Sequence, residues 1–311
     1  MFLSFRMAVA ALVATTAVTS AEVQAAEGGS SHYLPGASGD RLLAAPPPPG
    51  LLAANTIWWQ SGSAGAAVLQ GQVNVDLDLD VVLDLATVSY TFEQPVLGGT
   101  YSIGALVPFG YARLEGRLSG PGGSISASGD STNLSDIALI PLQLNWQLGQ
   151  FSLKFAEVVV APTGAYDVNK AVNLGRNYWS FDTTGAVTWM DESGRMELSL
   201  APGLMLNTEN PDTNYKTGAE FHADFTANYF LEPTLAVGLR GYYYHQVSDD
   251  SGSGALLGDF RSRSFGMGPG VFWAPPSLGG RLSFFGKWMH DFSAENRFES
   301  DYVTLGGAWK F

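Results

Sequence analysis

Residues 216–231 read KTGAEFHADFTANYFL, a stretch in which apolar side chains return at every second position. The odd-numbered positions 219–231 are all apolar, whereas the even-numbered positions 220–228 are all polar. A period of two places the two sets on opposite faces of a β-strand and cannot be kept on one stripe of a helix. The stretch therefore predicts a strand with one apolar face and one polar face.

The same alternation recurs in three further segments, 140–148, 198–206 and 281–292. Counting such segments between Gly, Pro, Asn, Asp and Ser turn signals gives about twelve strands, with fourteen as the alternative. Short and long connections alternate along the chain, with 149–150 and 232–233 among the short ones and 164–177 and 248–260 among the long ones. This alternation is typical of outer-membrane barrels. We therefore predict an all-β protein, a transmembrane antiparallel β-barrel over residues 51–311.

The composition agrees with a barrel in lipid. Only 14% of the 311 residues are charged, against about 25% in a soluble domain. The net charge of −13 argues against nucleic acid as a partner, and the absence of Cys excludes disulfides, thiolate metal sites and Cys nucleophiles. We expect no cofactor. A secreted β-sandwich is the soluble alternative, but it does not explain why charges are so scarce.

The first 50 residues divide into two segments. Residues 1–25 are typical of an export signal, with Arg6, an apolar run at 7–18 and a small-residue cleavage site before Ala26. The run is shorter than the roughly 20 residues of a membrane-spanning helix, although an N-terminal anchor is the alternative. Residues 26–50 are rich in Gly and Pro. They are predicted to form a plug in the lumen, with a periplasmic tail or the entry into the first strand as the alternatives.

The last segment carries a targeting pattern. Alternate residues from Val303 to Phe311 are apolar or Gly and end on the aromatic Phe311. This pattern resembles the C-terminal signature of outer-membrane proteins. We therefore expect the cell outer membrane of a Gram-negative bacterium as the location, its lipid as a partner, and recognition of Phe311 by the barrel assembly machinery.

Two groups of polar residues are predicted to face the lumen. The first group shares one face of a strand and comprises Asp76, Asp78, Asp80 and Asp84. A bulge beyond Leu85 is expected because the apolar parity changes there, and a hydrated rim is the alternative location for these aspartates. A calcium loop is rejected, because Val81 and Thr87 occupy positions that require Gly and Glu. The second group is Glu220, His222 and Asp224, whose spacing suits a metal or a proton relay but also arises by chance on a polar wall.

Four aromatic residues lie at positions of inward parity and are the predicted substrate path: Tyr242, Tyr244, Phe285 and Tyr302. Their rings are suited to contact a small hydrophobic ligand, although aromatic side chains also fill barrels without binding anything. No catalytic constellation and no metal site is predicted.

Several stretches resemble a known family. They are EGGSSHYLPG at 27–36, PTGAYD at 162–167 and NLGRNYW at 173–179, together with Asp136, Pro141 and Trp146. They resemble the family named for the MetA pathway of phenol degradation, also called the SphA family, along the whole mature chain. The resemblance implies a barrel distantly similar to the fatty-acid and toluene channels of outer membranes, and an association with hydrophobic or aromatic compounds.

Fold and resemblance together predict a channel for passive uptake of small hydrophobic compounds, aromatic ones included, and not an enzyme. A barrel enzyme that acts on lipids and a structural barrel without a transport role are the alternatives. The sequence leaves open the compound, the direction of transport and the oligomeric state.

Overall fold

The computed structural model describes residues 31–68, 73–120, 123–255 and 261–311. The predicted signal peptide at 1–25 and residues 26–30 lie outside these ranges. The described residues form thirteen strands: β1 Gly50–Val68, β2 Val73–Thr91, β3 Thr100–Gly120, β4 Gly123–Leu134, β5 Ile137–Leu148, β6 Phe151–Ala161, β7 Ser180–Met190, β8 Met196–Asn207, β9 Glu220–Glu232, β10 Leu235–Gln246, β11 Arg263–Trp273, β12 Leu282–Glu295 and β13 Glu299–Lys310. Within these ranges, no helix has the length and apolar character needed to cross a membrane.

The sheet closes on itself, because β1 pairs antiparallel with both β2 and β13. Twelve of the strands described above complete the ring, β1–β3 and β5–β13. The remaining strand, β4, pairs only with β3 and continues the course of β5 beyond a break at Ser135 and Asp136. The predicted twelve-stranded antiparallel barrel is confirmed.

Burial alternates along the strands as the sequence pattern predicts. On β9, Glu220 and His222 are 0% and 2% exposed, whereas Tyr229 and Leu231 are 43% and 53% exposed. Large apolar side chains on other strands are likewise exposed on the outer surface, among them Phe155, Leu200 and Val271. Exposed aromatic residues recur near the strand ends that adjoin the short turns, including Tyr90, Phe151, Tyr229, Trp273, Phe284 and Trp309. An apolar outer band with aromatic girdles is the surface that lipid requires.

The aspartates of β2 do not face the lumen, so this prediction is wrong. The exposed outer face of β2 carries Asp76, Asp78, Asp80 and Asp84. The odd-numbered positions point inward instead, where Leu83 and Leu85 are only 5% and 3% exposed. The strand keeps one register with β1 and β3, so the predicted bulge is also absent from it. The change of parity marks an outer face that passes from polar residues to Val88 and Tyr90.

Charged residues of β3 oppose the aspartates on that outer face. Asp76 lies opposite Arg117, and Asp80 lies opposite Arg113. Opposite charges at paired positions stabilise neighbouring strands. Asp76, Asp78 and Asp80 lie beyond Val82, whose cross-strand neighbours on the outer surface are the aromatic residues Trp59 and Tyr111. Asp84 lies on the other side of Val82, opposite Ile57 and Phe109, and accepts a hydrogen bond from Asn55.

A bulge occurs in β5 instead. The register between β5 and β6 shifts between Leu139 and Leu142. Ile140 therefore lines the interior, although the sequence pattern placed it on the same face as Leu142. Beyond the bulge, Gln143 and Asn145 turn inward as their polarity predicts.

Candidate functional site

The interior of the barrel has a polar half and an apolar half. The polar half carries buried charged and amide side chains on β8, β9 and β12, namely Glu197, Glu220, His222, Asp224, Asn228 and Lys287. The apolar half comes from β1, β2 and β3 and includes Trp58, Val81, Leu83, Leu85, Leu106 and Ala112. The sequence analysis did not predict this division, because it assigned the aspartate-bearing face of β2 to the lumen.

The N-terminal segment, residues 31–49, lies against the polar half. Its backbone forms no regular secondary structure, so its N–H groups need partners elsewhere. The barrel wall supplies them: the amide of Leu42 donates to Glu197 at 2.9 Å, and that of Ala44 donates to Thr188 at 3.0 Å. The segment has turn hydrogen bonds of its own, from Ala37 to Leu34 and from Ala45 to Leu42, and its contacts with the wall hold it in place.

Asp224 and Lys287 are the two charged anchors of this segment. Asp224 accepts hydrogen bonds from the hydroxyl of Tyr33 at 2.8 Å and from the amide of Gly36 at 3.1 Å. Lys287 forms a buried ion pair with Asp40 at 3.0 Å and also donates to the carbonyl of Gly39 at 3.2 Å. Buried charges are tolerated only where they are paired in this way. Asp224 faces the interior, and its side chain holds the N-terminal segment.

Asp136, at the break between β4 and β5, joins the N-terminal segment to the long connection at 162–179. One oxygen of its carboxylate lies 2.9 Å from Nε2 of His32. The carboxylate also accepts from the amides of Gly164 at 2.8 Å and Arg176 at 2.7 Å. Burial acts to raise the pKa of Asp136, but these three hydrogen bonds outweigh it and hold the pKa below its usual value. Burial lowers the pKa of His32, against the opposing effect of the Asp136 hydrogen bond.

The 162–179 connection folds back on itself at two glycines. A Cβ atom on Gly164 would lie 2.7 Å from Cα of Gly175, and one on Gly175 would lie 2.6 Å from the carbonyl carbon of Gly164. Only glycine fits such a close approach of two backbones. The glycines of the PTGAYD and NLGRNYW stretches thus allow the connection to reach Asp136. Val172 and Leu174 of the connection pack into the same buried cluster as Trp58 and Tyr33.

A cavity of about 680 Å³ remains between the N-terminal segment, the 162–179 connection and the apolar half of the wall. Its apolar lining includes Leu79, Val81, Leu83, Leu106, Leu114, Val158, Val160 and Val172. Polar residues at other positions of the lining include Gln143, Lys154, Thr184 and His222. A concave, mainly apolar chamber with a few polar groups is the usual form of a small-molecule site.

The four aromatic residues predicted as the substrate path lie inside the barrel, but none of them lines this cavity. Tyr242, Tyr244 and Tyr302 are fully buried in an aromatic cluster that includes Tyr33. Phe285 faces inward and packs against a separate buried cluster that contains Phe272. Their role as a substrate path stays a prediction. The lining residues of β2 and β3 were missed because an apolar inner face looks the same in sequence as a lipid-facing one.

Glu220 and His222 also hold the interior together. Glu220 accepts a hydrogen bond from Asn207 at 3.1 Å, and Nε2 of His222 lies 2.9 Å from Asp182. The ring of His222 stacks on Tyr33 with centroids 4.3 Å apart. Among the described residues, no group of three or more His, Asp or Glu is arranged to hold a metal ion.

Ser180, His32 and Asp136 have the residue types of a hydrolase triad. Nδ1 of His32 lies 2.7 Å from the Ser180 hydroxyl oxygen. That hydroxyl is fully buried and donates to Asn207 at 2.5 Å. A nucleophile must present its oxygen to a substrate, and Ser180 does not line the cavity. The trio is therefore a buried connection between the N-terminal segment and the wall.

A closed twelve-stranded wall, apolar outside and filled with ordered chain inside, defines the class of this protein as a β-barrel of the outer-membrane type. A solved outer-membrane channel from Pseudomonas putida F1 has a TM-score of 0.68 at 16% identity, with 86% of this chain and 97% of that chain covered. The β domain of the Bordetella autotransporter BrkA has a TM-score of 0.51 at 12% identity, with 85% and 100% covered. At these identities the similarity shows the fold alone. A search among curated protein sequences finds no match.

The chain belongs to the family described as "Putative MetA-pathway of phenol degradation", whose model matches residues 63–305. The resemblance stated from the sequence is thereby confirmed. The match spans the barrel strands from the upper part of β1 to β13 and includes the 162–179 connection.

Proposed function

We propose that this protein is a channel in the outer membrane of a Gram-negative bacterium for passive uptake of small hydrophobic compounds, aromatic ones included. The observation that carries the proposal is the apolar chamber of about 680 Å³ inside a barrel. An inward-facing row of Leu79, Val81 and Leu83 offers dispersion contacts to a bound solute, and binding there removes the apolar surface of the solute from water. A structural barrel without a transport role does not need such a chamber.

In this proposal, residues 26–50 act as a plug, and the solute binds in the chamber that adjoins the plug. Polar lipopolysaccharide slows the passage of apolar solutes, and the chamber gives them a site of lower free energy inside the wall. Movement of the plug, or a gap in the wall, then lets the solute leave. Lipid around the apolar band and recognition of Phe311 by the assembly machinery belong to the same proposal.

The test compares initial uptake rates in a deletion strain and in the same strain with the protein restored. The probes are a labelled aromatic hydrocarbon, a labelled long-chain fatty acid and a small labelled sugar. We expect a defect for at least one hydrophobic probe, rescue on restoration and no change for the sugar. Equal rates for all three probes in both strains would contradict the proposal.

The enzyme alternative has one feature in its favour, the contact of His32 with Ser180 and Asp136. We do not favour it, because the Ser180 hydroxyl is buried away from the cavity. Release of labelled fatty acid from phospholipid by the purified protein, abolished by Ser180→Ala, would establish it. We expect no release above that of the Ser180→Ala variant.

A further inference from the structure

Lys154 places a cation inside the cavity. It lies on β6 between Ser152 and Ala156, two other inward-facing residues of low exposure. Its side chain lines the cavity. Among the described residues it has no hydrogen-bond or ion-pair partner for its ammonium group. Lys154 is only partly exposed, and the carboxylates of Asp182 and Asp224 act on its charge without lying within ion-pair distance. A largely buried cation without a close partner is costly, so an anionic ligand in the cavity would supply the close contact that the chain does not.

The carboxylates that line the cavity are already engaged. Asp136 is bound by His32 and by two backbone amides. Asp182 lies 2.9 Å from His222. Asp224 lies outside the lining and is occupied by the N-terminal segment. None of these groups forms an ion pair with Lys154.

The net charge of the cavity lining is also opposite in sign to that of the whole chain. The chain has a net charge of −13. The lining contains four Lys and Arg residues and two carboxylates. The cations are Lys154, Lys170, Arg176 and Arg297, and the carboxylates are Asp136 and Asp182. An excess of cations over carboxylates in a mainly apolar lining favours a solute that combines an apolar body with a negative charge.

The neighbours of Lys154 narrow the class of anion. Gln143 and Thr184 line the cavity and flank Ala156, the next inward residue on β6. They add an amide and a hydroxyl to the wall two residues along β6 from Lys154, while the β2 and β3 side of the chamber is apolar. Lys154 is the cation that the strands contribute to the lining, whereas Lys170, Arg176 and Arg297 lie in connections. A single strand cation with neutral neighbours suits a singly charged head group better than a doubly charged phosphate.

We propose that the cavity binds apolar monocarboxylates, with the carboxylate on Nζ of Lys154 and the apolar body against the Leu and Val residues of β2 and β3. This inference rests on the proposed function and specifies its substrate class. It gives the channel a way to distinguish an aromatic acid from a hydrocarbon of the same shape.

The experiment measures binding of 2-naphthoate and of 2-naphthamide to the full mature chain in detergent micelles at pH 8, by calorimetry against micelles alone. The two probes share one ring system and differ in charge. We expect wild type to bind the naphthoate on the order of tenfold more tightly, as a charge-assisted hydrogen bond provides. Lys154→Met should remove this preference by weakening the naphthoate alone.

Two variants complete the design. Lys154→Arg keeps the cation and should keep the preference, and Lys216→Met makes the same change as the test variant at an exposed loop position and should behave as wild type. Equal binding of both probes to wild type would overturn the inference and leave the hydrophobic channel standing. Binding of neither probe would overturn both proposals. The comparison of probes on wild type does not depend on whether Lys154→Met folds.

Discussion

Asp136 shows how a single carboxylate can hold several separate parts of this chain. It binds His32 of the N-terminal segment and the amides of Gly164 and Arg176 at the two ends of the 162–179 connection. No sequence pattern predicts this role, because the three partners lie 28, 40 and 104 positions away in the chain. The residue was visible only as part of a family resemblance.

We predict that Asp136→Asn loosens the 162–179 connection. The variant loses the negative charge and replaces one acceptor oxygen with an NH₂ group, which leaves a buried N–H without a partner at a cost of about 1 to 3 kcal/mol. Trypsin should then cleave the folded protein faster after Lys170 and Arg176, as followed by mass spectrometry. Asp130→Asn changes an exposed residue of β4 and should leave the cleavage rate unchanged. Equal rates for both variants would count against the role of Asp136.

At the scale of elements, the orientation of a strand with a polar inner face was predictable from the sequence, whereas that of a strand with an apolar inner face was not. β9 has a polar inner face and an apolar outer face, so its alternation alone gives the orientation of Glu220 and Asp224. β2 reverses this arrangement, since its inner face is apolar and its outer face carries aspartates, two of which, Asp76 and Asp80, lie opposite arginines. A period of two defines two faces but does not say which faces inward. The orientation comes from neighbouring strands, which only the folded barrel supplies.

The N-terminal segment is the element whose docking should depend on pH. Burial holds the pKa of His32 below 6.5 when the segment is docked, so the undocked histidine binds protons more readily. Docking is therefore strongest above pH 6.5 and weakens as the pH falls below that value. The lowered pKa of Asp136 acts in the same direction only below pH 3.8.

We predict faster proteolysis of the N-terminal segment at pH 5 than at pH 7.5 in the folded protein. The protease rate is calibrated at each pH with an unstructured peptide of the same sequence. His32→Asn removes the titrating group and should reduce the difference between the two pH values. A difference of the same size in wild type and His32→Asn would assign the effect to other groups.

On the scale of the whole molecule, the outer and inner surfaces of the barrel differ in what they contact. The apolar outer band is matched to lipid, the polar half of the interior holds the N-terminal segment, and the apolar half borders the chamber. The number of strands and the class of fold followed from alternation and turn spacing. The chamber could not be predicted, because it depends on which strands meet across the lumen and on where the N-terminal segment and the 162–179 connection lie.

Val81 and Val82 allow the most direct test of the chamber as a passage for hydrophobic solutes. They are neighbours on β2, but Val81 lines the cavity and Val82 is 39% exposed on the outer surface. A tryptophan at position 81 fills part of the chamber, whereas one at position 82 enters the lipid-facing side, where aromatic residues are tolerated.

The measurement is the initial uptake rate of a labelled aromatic hydrocarbon into cells that express wild type, Val81→Trp or Val82→Trp at equal levels of folded barrel. The account predicts a severalfold lower rate for Val81→Trp and a wild-type rate for Val82→Trp. Wild-type rates in both variants, with uptake still dependent on the protein, would show that hydrocarbon does not pass through the chamber.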